Sequence, residues 1–98
     1  MVKHMIIWKL KDSLADKEKV KAEIKAALEG LLGKIDGLVE MHILTEGFPS
    51  SSGDLMMDSL FTDKAALDAY QENPLHKEIA TGLVRPAVDT RMAFDYAV

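Results

Sequence analysis

The segment Tyr70–Thr81 reads YQENPLHKEIAT and holds the residues best suited to chemistry. His76 follows Pro74 by two positions, and if Asn73 caps a helix that Pro74 opens, His76 takes about the third helical position. Unpaired backbone N–H groups and the positive end of the helix dipole disfavour imidazolium there. A neutral ring near pH 7 is what a general base needs. The same ring would equally suit packing against a sheet with one bond to a backbone carbonyl. Tyr70 lies six residues earlier, so the two share a site only through the bend at Asn73–Pro74. Its hydroxyl could orient the histidine or a substrate carbonyl, or end as the hydrogen-bonded tip of a core aromatic. His76 and Tyr70 are thus the candidate catalytic residues. His4 has the same strand parity as Ile6 and Trp8. It either faces a pocket or is a core histidine bonded to a neighbour such as Asp95 or Tyr96. The candidate ligand-binding set is His4, Trp8, Tyr70 and His76.

The elements that must position these residues follow from pattern. KHMIIWKL (Lys3–Leu10) is short and rich in β-branched and aromatic residues, as a strand should be. DSLADKEKVKAEIKAALEGLLGKI reads as a helix whose apolar positions Val20, Ile24, Ala27, Leu28, Leu31 and Ile35 recur at three-and-four spacing. Ser13 is its expected cap, with Asp16 in the first turn, and Gly33 or Gly37 its expected end. The interleaved lysines and glutamates form a solvated outer face. Strands are expected at Leu38–Glu46 and Leu55–Thr62, separated by the turn-forming GFPSSSGD. Thr62 or Asp63 then caps a short helix, and Asn73–Pro74 restarts helical structure to about Leu83. Thr90–Ala97 is the closing strand. The order β-α-β-β-α-β over residues 1–98 predicts one α+β domain, a ferredoxin-like sandwich with one antiparallel sheet and helices on one face.

A sheet with one solvated face should alternate apolar and polar residues. Here both parities are apolar at mid-strand. The first strand offers His4, Ile6, Trp8, Leu10 against Lys3, Met5, Ile7, Lys9. The second offers Leu38, Glu40, His42, Leu44 against Val39, Met41, Ile43, Thr45, and the third Leu55, Met57, Phe61 against Met56 and Leu60. Helices can cover only one of these faces. An unshielded apolar face of this size marks an association surface or a ligand groove. The expected partner is a second copy of the chain packed sheet to sheet, with room for a small apolar molecule. Asp58, in mid-strand among methionines, reads as an exposed sheet-edge residue; if buried it needs a partner, and Arg91 or its dimer mate is one choice. His42 reads as a sheet-surface residue. The six methionines suit gap-filling in a core or a flexible apolar lining.

Other function classes are disfavoured. A net charge of −4, with basic residues interleaved among acids, is no nucleic-acid footprint. The chain has no cysteine, and its three histidines lie on separate elements without an i, i+4 pair, so no metal pattern is present. GFPSSSGD lacks the lysine and following helix of a phosphate loop, and there is no dinucleotide fingerprint, so no cofactor is expected. The apolar run near the N-terminus is too short for a signal peptide or membrane span, which leaves the cytoplasm as the expected location.

The opening KHMIIWKLKD, the Y-x-x-N-P-L-H segment and the closing AFDY together resemble the stress-responsive α/β-barrel (Dabb) family over essentially the whole chain. That resemblance implies a ferredoxin-like subunit whose sheets pair into a dimeric α/β barrel. One plant member closes a linear polyketide by intramolecular aldol condensation, using residues that match His76 and Tyr70, with His4 matching another pocket position. The segment of the first helix that lines that pocket is KAALEGLL here and supplies no tyrosine, and a further pocket histidine falls near Leu55. Three functions follow as expectations. The first is a homodimer that binds a small apolar molecule near His76. The second is a cofactor-free enzyme of the same fold, aldol-type or monooxygenase-like, with His76 as general base. The third is a structural or stress-protective dimer whose barrel is filled by its own side chains. An empty volume beside His76 separates the first two from the third.

Overall fold

The computed structural model covers residues 1–98. Strand β1 (Val2–Leu10), β2 (Leu38–Leu44), β3 (Leu55–Phe61) and β4 (Val88–Ala97) form one sheet in the order β2-β3-β1-β4. Every neighbouring pair is antiparallel. Helices α1 (Lys17–Glu29), α2 (Lys64–Glu72) and α3 (Pro74–Ile79) bury their apolar sides against one face. This is the predicted ferredoxin-like arrangement.

Helix α1 begins at Asp16 rather than Ser13, because the Asp16 carboxylate accepts the Lys19 N–H at 3.1 Å. That residue supplies both a capping oxygen and a negative charge where the helix dipole favours one. The helix ends at Glu29 rather than at Gly33 or Gly37. From there, tight turns close through Leu31 N–H to Leu28 O and Leu32 N–H to Glu29 O, and Gly33 turns at φ +86°. Leu31 and Ile35 remain buried all the same, so the helical spacing identified core residues beyond the helix itself.

Gly37 has φ +82°, and a Cβ there would lie 2.5 Å from the Ala66 Cβ, so α2 lies directly on this turn. Gly37→Ala would meet both backbone strain and overpacking. It is expected to destabilise the fold by about 2–4 kcal/mol, read from the urea midpoint.

Strand β2 departs from the expected alternation. Leu38 pairs with Phe61 but Glu40 with Leu60, so Val39 is an extra residue in a bulge. Leu38, Met41 and Ile43 therefore all face the core, while Val39, expected with Met41 and Ile43, is exposed. The edge of β2 is closed by α1: Glu29 accepts the Ile43 N–H at 2.9 Å and Lys25 donates to the Ile43 carbonyl at 2.9 Å.

The outer face carries apolar residues on all four strands. Met5 lies opposite Phe94 and Ile7 opposite Met92, with Met56 and Leu44 continuing the Ile7 row. Met92 is 74% exposed, Phe94 70% and Ile7 45%. Asp58 is on this face and pairs with Lys3 at 2.6 Å, not with Arg91, whose parity on β4 points to the other side. His42, opposite Asp58, is a sheet-surface residue as expected.

Candidate functional site

Alternation along β1 directs His4, Ile6 and Trp8 to the helix-covered face. The antiparallel register sets Asp95 of β4 opposite His4, Ala93 opposite Ile6 and Arg91 opposite Trp8. The helices do not extend fully over β4, whose residues stay mostly exposed. An open space therefore remains beside β1 on the helix side.

The opposite wall depends on Asn73. Its backbone N–H bonds the Tyr70 carbonyl to finish α2, and its side chain accepts the Leu75 N–H at 2.9 Å to start α3. Extended backbone at Asn73 (φ −67°, ψ 131°) makes the corner, and Pro74 opens the next helix without needing a donor. In one unbroken helix, residues six apart point about 120° away from each other. The corner cancels that divergence, and the Tyr70 and His76 rings stack at a centroid distance of 4.2 Å with planes at 40°.

Beyond Ile79 the helix does not stop near Leu83 as expected. It widens into a π-helical segment (Ala80–Val84) and finishes with one more turn (Arg85–Ala87). Arg85 N–H reaches back to the Ala80 carbonyl. Pro86 has no N–H and its ring crowds the carbonyl four residues back, so a proline normally ends such a helix. The wider turn immediately before it accommodates the missing bond.

A cavity of about 630 Å³ lies between this helical wall and β1 and β4. His4, Ile6, Trp8 and Met57 line the sheet side, and His76, Ala80, Thr81 and Val84 the helix side. Gln71, Glu72, Lys77, Arg85 and Arg91 complete the lining, with Leu28 from α1. Of the candidates read from sequence, His4, Trp8 and His76 meet here. Tyr70 is fully buried and is not on the cavity wall. It stands behind His76, packed on Phe61 at 5.0 Å and edge-on to His4 at 6.3 Å.

His4 is fixed at both ends. Its Nδ1 donates to Asp95 at 2.5 Å, and its carbonyl accepts the Ser59 hydroxyl at 2.7 Å. With Nδ1 carrying the proton, a neutral ring leaves Nε2 as an acceptor. The two expectations for His4 are both met: it is a bonded, buried histidine and it also borders a cavity.

His76 and Tyr70 each bury a polar atom without a partner, Nδ1 and Oη. Burial is the main reason that the His76 pKa falls below its ordinary 6.5. The nearby Gln71 backbone opposes this, while His4, Arg91 and Arg85 add to the lowering. Burial likewise pushes the Tyr70 phenol far above its usual range, so it stays neutral and can only donate its proton in a hydrogen bond or accept one. Because the folded state resists protonating His76, the unfolded chain binds more protons between the folded pKa and 6.5. Stability is therefore expected to fall as pH drops through that window, and His76→Gln to remove this component. An NMR titration of the His76 ring, with urea midpoints at pH 7.5 and 5, measures both effects.

The sequence reading did not include Arg91 or Arg85 in the site. Arg91, expected at most as a partner for Asp58, comes here through its register opposite Trp8. Arg85 has no local signal, since the helix was expected to stop before it.

The stress-responsive A/B barrel domain (Dabb) family model matches residues 2–98. The chain belongs to the Dabb family. No curated protein matches it at a significant level. Among solved structures, this Dabb chain is similar to a dimeric protein of unknown function with a ferredoxin-like fold from Bacteroides fragilis. That protein is 25% identical at a TM-score of 0.88, over 99% of this chain and 95% of the other. A dimeric ferredoxin-like protein of unknown function from Jannaschia sp. is 26% identical at a TM-score of 0.79, over 99% and 98%. A hydroxynitrile lyase from Passiflora edulis shares the fold at 20% identity and a TM-score of 0.82, over 99% and 92%. No helix of this Dabb domain is long and apolar enough to cross a membrane.

Proposed function

We propose that this Dabb domain acts as a homodimer, paired through its outer sheet faces, that binds a small, mostly apolar molecule in the cavity beside His76. The observation that carries the reading is the cavity itself. It occupies about 630 Å³, with Trp8, Ile6 and Met57 on one wall and the neutral His76 on the other. Space of this size, with an apolar patch on the sheet side and polar groups converging on it, suits a small-molecule site. A barrel filled by its own side chains would have no such volume there. The dimer rests on the exposed Ile7, Met92 and Phe94 rows and on the dimeric state of the Bacteroides and Jannaschia proteins. Native mass spectrometry of gently purified protein tests both parts. The expected spectrum is a dimer with a discrete added mass that Ala80→Phe, which intrudes on the cavity, removes. A monomer would overturn the pairing, and an adduct indifferent to Ala80→Phe would overturn the site.

A second reading, catalysis, is favoured by one observation: His76 is held neutral beside a second histidine oriented by a carboxylate. In that case His76, through Nε2, takes a proton from a carbon next to a carbonyl. The resulting carbanion attacks a second carbonyl of the same molecule, as in aldol closure, and the alkoxide so formed takes the proton back from the His76 imidazolium. His4 would position the acceptor carbonyl's neighbouring hydroxyl, and Tyr70 would hold the His76 ring from behind. A His76→Ala protein that binds but no longer turns over would select this reading, and equal loss of binding and turnover would reject it.

A further inference from the structure

We infer that the molecule held in the His76 cavity carries an anionic head group, gripped at the rim by Arg91 and Arg85, with its apolar body against Trp8, Ile6 and Met57. This rests on the reading that the cavity binds a small molecule and names the class of that molecule. Four charged side chains line the cavity: Glu72, Lys77, Arg85 and Arg91. Glu72 and Lys77 neutralise each other through an ion pair at 2.8 Å. Asp95, which shares the strand parity of Arg91, is already bonded to His4. Arg85 and Arg91 have no ion pair and no side-chain hydrogen bond to any protein group, and both are exposed. Both guanidinium groups are near enough for their charge to act on His76, so their fields converge on the same space. The neutral His76 cannot itself balance an anion. The rim is therefore left with two uncompensated cations above an apolar wall, in a protein whose net charge is −4.

Guanidinium groups bind carboxylates and phosphates in a planar, two-point manner and are weakly hydrated, so they suit a half-open cavity mouth. A carboxylate and a phosphate monoester share this chemistry, and the choice between them is left to the probes.

Isothermal titration calorimetry of the dimer with decanoate, decyl phosphate and decan-1-ol tests the inference. At least one anion is expected to bind roughly ten-fold or more tightly than the alcohol. Arg91→Gln and Arg85→Gln should each weaken that anion by roughly ten-fold and leave decan-1-ol unchanged. Added salt should weaken the anion alone. Whichever anion is preferred identifies the head group. If the alcohol binds as well as both anions, or if the arginine variants weaken none of them, the head-group inference is overturned while the cavity reading stands. If no probe binds, or if Ala80→Phe leaves binding intact, the cavity reading fails and this inference with it. Both arginines are exposed and unpaired, so the substitutions are expected to leave the fold intact, which circular dichroism checks.

Discussion

A Phe94→Asp protein is expected to sediment as a folded monomer at concentrations where the parent is a dimer. Phe94 is 70% exposed in the single chain, so the substitution removes little from the subunit's own core. In the proposed dimer it lies among Met5, Ile7 and Met92, on the surface that two copies bury against each other. Leaving a carboxylate unpaired in such a contact costs about 3–5 kcal/mol, and two-fold symmetry imposes it twice. The dissociation constant should rise by roughly four to seven orders of magnitude. Lys3 does not offset this, because its ammonium group is already paired with Asp58 at 2.6 Å. A Phe94→Asp protein that still sediments as a dimer would place the contact elsewhere on the molecule. Unchanged thermal unfolding of the subunit, measured at dissociating concentration for both proteins, would show that the effect belongs to assembly alone.

Phe61→Ala is expected to destabilise the subunit by about 3–5 kcal/mol in urea denaturation. The Phe61 side chain is fully buried and forms the common support of the site. Its ring is 5.0 Å from that of Tyr70 and 6.3 Å from that of His4. Truncation leaves a void at this junction, and a small domain with roughly 5–15 kcal/mol in total would lose a large share of its stability. Since Tyr70 backs His76, ligand affinity should fall together with stability, although Phe61 is absent from the cavity lining. A loss of stability with unchanged affinity would mean that the stacked rings do not hold His76 in place.

The features legible in the sequence are those decided within a few residues. Asp63 caps α2 through the Ala66 N–H at 2.8 Å, and Asn73–Pro74 ends one helix and begins another, because capping oxygens and proline act locally. Side-chain alternation placed His4 with Ile6 and Trp8 for the same reason, and His76 followed from the cap that precedes it. Three things were decided by tertiary contacts instead. The Val39 bulge depends on where β2 meets β3, and nothing around Val39 announces it. The helical turn through Pro86 exists because the preceding residues widen, against the ordinary rule for proline. Arg91 joins the site only through the register of β4 against β1, a pairing of residues more than eighty positions apart. Tyr70 falls between these cases: its nearness to His76 was readable from the corner, but its place behind the ring was not, because that depends on Phe61.

The closed edge of β2 sets a limit on how these molecules can add to one another. An open strand rim recruits further strands, and a sheet with two open rims could extend without end. Here Lys25 and Glu29 occupy the outward-facing hydrogen-bonding groups of Ile43, so the β2 rim is blocked at this residue and the rim of β4 is the more open of the two. A lone free rim can meet only its own copy, and once two have met neither has another to offer. Between copies that join by rims alone, growth ends at a pair, and two side chains of α1 set that limit at Ile43.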